Sequence, residues 1–502
     1  MVIFEMLQAS AQRVPDKTAL LCDGEAISYK ALEERALSLA HQFQRLGVKK
    51  GERVALLFPN GNEMAVAYFA CAAIGAVSVP LNNRLTAKDL IYMINDCAAF
   101  LLIVGDPFWE ISRQIRPHLS SVREFVYAGP ERKEGAHCFA DLIAEKQRPE
   151  LPPVLADDTA TIMYTSGTTG LPKGAMMSHR NIFANARNCG AALNYKESDR
   201  TLIVVPLFHV TGLNSQLVAF IRVGGTCVIL KAYKTAEMIE AIEKHRITAL
   251  FMVPTMYVLM LINETLPKRD VSSVCLAAYG GAPMDKETII RLKERLGVDL
   301  YNAYGLTETS SLTTVLPACD AVRKAPSVGL PVCGVQVKTI DGRGRELGPG
   351  ETGELLIKGP NVVRGYFNKP EATQQSIVDG WLHTGDLARI DDEGYVFVVD
   401  RLKDMILRGG ENIYSIEVES VLNSHLKVLE SAVVPEPHPI FGEVVKAFVV
   451  LRPGEEAAPE EVIDFCRRHI ADYKIPARVV FLDELPRNPG GKVIKNRLRE
   501  MG

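Results

Sequence analysis

Apolar residues recur along the first 300 positions in two alternating periods. Between 29 and 46 they fall at Leu32, Ala36, Leu39, Ala40, Phe43 and Leu46, which puts them on one face of a helix that Gly47 closes. A short apolar run at 54–58 reads as a buried strand, 63–74 as a helix and 76–80 as another strand. The rhythm continues with strands at 201–205, 226–230, 249–253 and 274–279, separated by helical stretches such as 235–245 and 285–296. Strands that alternate with helices predict parallel sheets with helices on both faces.

The texture changes near Val332. Short strands at 336–340, 353–358 and 395–399, punctuated by Asp-Gly, Gly-Pro-Gly and Glu-Gly turns, predict a small antiparallel barrel or sheet. After Asp400 a helix at 416–425, strands at 432–435 and 444–451 and a helix at 459–471 predict a compact α+β unit of ordinary domain size. The expected fold class is therefore α/β, with a large N-terminal domain, residues 1–400, of two parallel-type α/β subdomains plus a small β-barrel at about 325–400. A small α+β C-terminal domain, 401–502, follows.

A length of 502 residues exceeds one ordinary core, in line with more than one domain. A net charge of -3 gives no electrostatic reason to expect nucleic acid or an anionic membrane as partner, so the substrate is expected to be small. The ten cysteines contain no Cys-x-x-Cys pair, which argues against a disulfide framework or a zinc site and fits a reducing cytoplasm. The N-terminus, Met-Val-Ile-Phe-Glu, lacks the layout of a secretory signal. Residues 64–81 carry no charge over a length that raises the question of a membrane span. Gly75 and Pro80 interrupt them, and they read as a buried helix running into a strand, so no integral span is expected.

Candidate chemistry begins at 164–174, Tyr-Thr-Ser-Gly-Thr-Thr-Gly-Leu-Pro-Lys-Gly, directly after a strand-like run at 159–164. Glycines that let the backbone approach a ligand, with bare N–H groups, hydroxyls and Lys173, suit a loop around phosphate. It is not a Walker A loop, because Pro172 and Gly174 flank the lysine. At 301–309, Tyr-Asn-Ala-Tyr-Gly-Leu-Thr-Glu-Thr, a tyrosine ring could stack on a purine and Glu308 is a hard oxygen ligand for magnesium, although alone it reads as a surface acid. Farther on stand Trp381-Leu-His-Thr-Gly-Asp386, a run from Asp400-Arg-Leu-Lys to Tyr414, and Pro486-Arg-Asn-Pro-Gly-Gly-Lys492. Asp386 and Arg401 suit ribose hydroxyls or an ordinary surface ion pair.

Together, in this order and spacing, these segments resemble the adenylate-forming superfamily of acyl-CoA synthetases, peptide-synthetase adenylation domains and beetle luciferases, over nearly the whole chain. The resemblance implies that Thr165, Ser166, Gly167, Thr168, Thr169 and Lys173 hold the β,γ-phosphates of ATP. It implies an adenine site at Gly280, Gly281, Ala282, Pro283, Asn302 and Tyr304, the α-phosphate at Thr307, magnesium at Glu308 and ribose at Asp386 and Arg401. Lys492 matches the catalytic lysine that bridges the substrate carboxylate and the adenylate phosphate. Lys403 matches the hinge of a mobile C-terminal domain, and Gly409 and Gly410 the segment lining the pantetheine tunnel. Two positions depart from the common pattern: the hinge is Lys where many relatives have Asp, and Asn488 stands where Ser or Thr is common.

His209, in Pro206-Leu-Phe-His-Val-Thr-Gly-Leu-Asn214, matches a residue that reaches the acyl pocket, for which Phe208, Val210, Leu213, Tyr279, Gly280 and Leu306 form an apolar expected lining. The implied reaction joins a carboxylic acid, fatty or aryl, to coenzyme A through an acyl-adenylate, with ATP and magnesium. Loading of a carrier protein and a luciferase-like oxygenation stay open as alternatives. The expected partners are the acid, ATP and coenzyme A, without nucleic acid, and a homodimer is an open option.

Overall fold

The computed structural model describes residues 1–165, 171–487 and 493–501. They divide into two compact units, one of 1–337 with 357–382 and one of 338–356 with 383 onward. In the first unit, six parallel strands, Thr18–Cys22, Thr226–Ile229, Arg200–Ile203, Ala249–Met252, Leu276–Gly280 and Asp299–Tyr304, form the middle of a nine-stranded sheet. Antiparallel strands finish both edges, Glu25–Ser28 at one and Thr314–Leu316 with Leu330–Pro331 at the other.

A seven-stranded sheet runs in the order His137–Cys138, Glu124–Ala128, Leu101–Gly105, Arg53–Leu57, Val77–Pro80, Thr159–Thr165 and Lys173–Ser178. Only the last pair is antiparallel, and its two strands flank the glycine-threonine loop. The alternation of helix and strand is observed where the apolar periods predict it. The helix Tyr29–Arg45 ends just before Gly47, whose φ of +97° is open to glycine at no steric cost. Every residue but Glu63 of the helix Asn62–Ile74 is buried, and the strand Val77–Pro80 is buried too, which accounts for the long uncharged run. Among the described residues no helix is long and apolar enough to cross a membrane. All ten cysteines are free.

The β-rich stretch forms a five-stranded sheet in which Trp381–Ile390 pairs antiparallel with Ile377–Val378 and Val396–Arg401. The second unit also holds a five-stranded sheet built on the long hairpin Val428–His438 with Gly442–Leu451. The helices Ser415–Asn423 and Pro459–Arg467 cover it through Val418, Leu422, Val462 and Cys466. A smaller apolar cluster joins Ala432, Val434, Phe448, Val450 and Leu485 to Leu498 of the terminal helix Lys495–Glu500.

One buried base links this packing to pH. His179 opens the helix His179–Ala192, wholly buried, and its Nδ1 accepts the Ile3 N–H at 3.3 Å. Burial holds its pKa down at about 4, Lys50 and the N-terminal amine adding to the effect and Asp158 opposing it. An unfolded chain takes up this proton near 6.5 and the native one only near 4, so stability is full above about 6.5 and declines as pH falls toward 4, by roughly 3 kcal/mol. Urea unfolding across that pH range should show the decline, and His179→Gln should flatten it.

Candidate active site

The hairpin strands Thr159–Thr165 and Lys173–Ser178 place Thr165 directly opposite Lys173. Its flanks are pinned from outside: the Tyr164 hydroxyl donates to Asp96 at 2.7 Å and the Tyr92 hydroxyl to the Pro172 carbonyl at 3.1 Å. Gly174 is required by packing, since a Cβ there would stand 2.6 Å from Ile162. Ser166, Gly167, Thr168 and Thr169 lie outside the described residues.

The neighbouring segment 363–367 carries a residue that the motif reading passes over. Gly365 and Gly174 accept the N–H groups of Met176 and Phe367, at 2.9 and 2.8 Å, so the segment lies along the lysine strand. Tyr366 then stands between two candidate ligands of the nucleotide. The Lys173 ammonium lies 5.0 Å from its ring centroid, and its hydroxyl donates to Glu308 at 2.8 Å. Burial and the Glu308 carboxylate both raise the Tyr366 pKa well above its ordinary value, so the phenol stays a donor. An aromatic after a glycine, in a run otherwise like any loop, was the only signal in the sequence.

Thr307 and Glu308 sit half-buried on a single 3-10 turn, Thr307–Thr309. The two residues that follow, Ser310 and Ser311, adopt φ values of +56° and +117°, costly for non-glycine residues and sustained only where surroundings over-determine them. Buried polar groups do so here. Asn214 donates to the Ser310 carbonyl at 3.1 Å, Ser215 and Ser311 share a hydroxyl contact at 2.7 Å, and Asn185 accepts the Leu312 N–H at 2.9 Å. Asn214 and Ser215 belong to the π-helical stretch Thr211–Val218, a wide turn that often accompanies function. It begins two residues after His209, which is exposed, its Nδ1 accepting the Thr211 N–H at 3.3 Å.

The proposed adenine shelf forms where two parallel strands end together, Gly280 opposite Ala303 and Tyr279 opposite Asn302. A Cβ on Gly280 would meet the Ala303 oxygen at 2.3 Å, so only glycine lets these backbones approach. Gly281, Ala282 and Pro283 are exposed beside them, and Tyr304 is half-buried at the strand end. Asn302 is buried and donates to the Ser327 carbonyl at 2.9 Å, which ties the shelf to the loop behind it.

In the second unit, Asp386 and Arg401 face each other across antiparallel strands with an N–O distance of 3.2 Å, the carboxylate buried and the guanidinium 40% exposed. Lys403 follows on an exposed turn. Gly409 and Gly410, at φ +59° and +95°, form the two-residue tip of the hairpin Ile406–Arg408 with Glu411–Ile413, a turn that demands two positive φ angles. Lys492 and Asn488 lie outside the described residues.

Beyond the strand ends of the first unit a cleft of about 940 Å³ opens, lined by Phe58, Phe108, Phe139, Val204, Phe208 and Tyr233 among others. Of the residues expected to line the acyl pocket, Phe208 lines this cleft, whereas Val210, Leu213 and Tyr279 are fully packed. Strand-period reasoning could not tell the two environments apart, because both need apolar side chains.

The donor set fits a magnesium nucleotide. One oriented carboxylate, hydroxyls at Thr165 and Thr307 and the Lys173 ammonium are brought together, and magnesium is held by one or two carboxylates with substrate phosphates supplying the rest. Among the described residues no cluster of three or more acidic, His or Cys side chains forms a closed metal cage.

The pattern of the AMP-binding enzyme family matches residues 7–367, and that of the AMP-binding enzyme C-terminal domain matches 417–492. The chain belongs to the AMP-binding enzyme family. It is 37% identical to a feruloyl-CoA synthase of Amycolatopsis over 97% of this chain and 96% of that protein. It is 35% identical to the fatty acid–[acyl-carrier-protein] ligase ScoC of Streptomyces coeruleorubidus, over 98% and 94%. Its structure resembles that of o-succinylbenzoate CoA synthetase from Bacillus subtilis, solved with its acyl-adenylate intermediate, at a TM-score of 0.88 and 33% identity, covering 98% of this chain and 97% of that one. The same synthetase has also been solved with ATP and a magnesium ion.

Removing the hydroxyl that orients Glu308 tests the arrangement. Tyr366→Phe should raise the KM for magnesium-ATP about tenfold, the scale of one hydrogen bond to a charged group, with little change in melting temperature. Initial rates against ATP at saturating acid check it.

Proposed function

We propose that this chain is an AMP-forming acid–thiol ligase that activates a fatty or aryl carboxylic acid with ATP and transfers the acyl group to coenzyme A. The observation that carries the reading is the Lys173–Tyr366–Glu308 constellation, which joins the phosphate strand to a magnesium-type carboxylate in a chain that matches both family patterns. Relatives named for feruloyl-CoA and for a fatty acid support the substrate class.

The chemistry follows from charge. A carboxylate is a weak nucleophile and its target is a polyanion, so the chain must offset phosphate charge and align the attacking oxygen with the α-phosphorus. Thr165, the loop 166–169 and Lys173 would hold the β,γ-phosphates and Thr307 the α-phosphate. Gly280 to Pro283, Asn302 and Tyr304 would take the adenine, and Asp386 with Arg401 the ribose hydroxyls. Bound at Glu308, magnesium would add charge neutralisation at the phosphates. Lys492 would bridge the carboxylate and the α-phosphate, its fixed charge developing no reorganisation cost as the bond forms. Pyrophosphate leaves, and the thiol then attacks the acyl carbon and displaces AMP. A hinge at Lys403, with domains of about 1–400 and 401–502, would serve the two half-reactions in turn, and Gly409 and Gly410 would line the thiol's path. His209, beside Phe208 of the cleft, would gate the acyl group.

A second reading has one specific support, the relative named for an acyl-carrier-protein acceptor. The reading also takes the chain as a cytoplasmic enzyme of small molecules, without nucleic acid, as a monomer or a homodimer.

Pyrophosphate release should be scanned over hexanoate, decanoate, palmitate, benzoate, ferulate, o-succinylbenzoate and malonate, with coenzyme A or a phosphopantetheinyl carrier protein. Release with fatty or aryl acids and thioester on coenzyme A are expected. Thioester on the carrier alone would replace the acceptor, and no release with any acid would overturn the ligase. Lys492→Ala should lower adenylation at least about a hundredfold while still converting supplied acyl-adenylate to thioester, and equal loss of both steps would remove the alternation.

A further inference from the structure

The residues that follow Lys492 are tied into the second unit by buried charge. Arg487 pairs with Val493 in an antiparallel bridge, and the Ile494 N–H donates to the Pro486 carbonyl at 2.7 Å, so described chain on both sides of 488–492 is joined. Next comes Lys495, whose side chain is only 17% exposed. Its ammonium lies 2.7 Å from Glu419 and donates to the Ser415 hydroxyl at 2.7 Å. That hydroxyl in turn donates to Asp400 at 2.9 Å, and the Ser415 N–H donates to the other oxygen of the same carboxylate. Asp400, 1% exposed, also accepts the N–H of Arg401 at 2.7 Å. One hydrogen-bonded path thus runs from Lys495 through Ser415 and Asp400 to the backbone of Arg401, the proposed ribose ligand.

Four residues on, and on the same helix face, Arg499 donates to Asp404 at 2.7 Å and to the Lys403 carbonyl at 2.9 Å. Leu498 plugs the smaller apolar cluster from the other side. A helix of six residues has no stability of its own, so these contacts decide where it lies. An apolar plug alone would dock it. Charges that must each meet a partner add a penalty for any other register, because a displaced Lys495 would leave the largely buried Glu419 without its ion pair and break the Ser415-mediated link to the buried Asp400.

We infer that Lys495 is a positioning residue for acid activation, fixing the chain directly after Lys492 to the strand that carries Arg401. The inference rests on the role proposed above for Lys492. It assigns Lys495 no contact with substrate. Because Lys492 would serve only the first half-reaction, loss of its anchor should divide the two half-reactions, which a loss of general stability would not.

The test uses the full chain and the acid of the panel above with the highest rate. Lys495→Met should lower acid-dependent ATP–pyrophosphate exchange at least about tenfold, with the KM for ATP and for the acid within about threefold of the unaltered chain. Conversion of the synthetic acyl-adenylate to thioester should stay within about threefold, and Lys495→Arg should recover most of the exchange. Ser415→Ala, which keeps every charge, should show the same division to a smaller extent and serves if Lys495→Met does not fold. Exchange near the unaltered rate in Lys495→Met, or a parallel fall of both half-reactions, would overturn the inference. Lys492→Ala run alongside separates the two claims. If it keeps exchange, the role of Lys492 fails first; if it loses exchange while Lys495→Met does not, only the anchor fails.

Discussion

The first unit depends on holding a strained turn still with buried polar groups. Ser310 and Ser311 sit at positive φ directly after Glu308, a conformation that a free loop would leave at once. Asn214 and Ser215 bond this turn, Asn185 and Asn361 bond Leu312 directly after it, and all four are buried. Each such group is costly to bury and repays that cost only in one arrangement. The result is a carboxylate aimed by its backbone as well as by Tyr366. The π-helical stretch belongs to the same device, since its adjacent residues Asn214 and Ser215 both bond that turn.

The second unit applies the same principle with charge in place of amides. Its terminal helix is too short to persist by propensity, and Lys495 and Arg499 compel its register where Leu498 only attracts it. Both units therefore place their candidate chemistry on short irregular segments and spend ordered polar contacts to make those segments as definite as a strand.

Much of this was legible in the sequence, for reasons that differ by element. Helices with an amphipathic face, such as Tyr29–Arg45 and Lys286–Leu296, and strands buried on both faces, such as Ala249–Met252, announce themselves because burial alone sets their pattern. Asp386 and Arg401 were legible as an ion pair, one of the two readings their chemistry left open, and the structure pairs them; the roles proposed for them, for the loop before Lys173 and for Glu308 come from the motifs alone. Tyr366 was not legible, because its role comes from backbone contacts between segments far apart in the chain. The packing of Val210, Leu213 and Tyr279 against the openness at Phe208 was hidden as well, apolar side chains being equally at home in a core and in a cleft wall. The polar scaffold around Ser310 leaves no periodic trace, as asparagine and serine are the ordinary residues of any loop.

The buried helix Asn62–Ile74 has a consequence for the order in which the protein can be made. Its covering requires neighbours on all sides, and the strand that follows it, Val77–Pro80, pairs with Thr159–Thr165, which is synthesised much later. The earlier helix Tyr29–Arg45 and strand Arg53–Leu57 can cover part of this segment at once, but one edge of Val77–Pro80 stays open until then, the kind of surface that makes nascent chains aggregate. Translation therefore leaves one edge of Val77–Pro80 unpaired for the interval before Thr159–Thr165 is made.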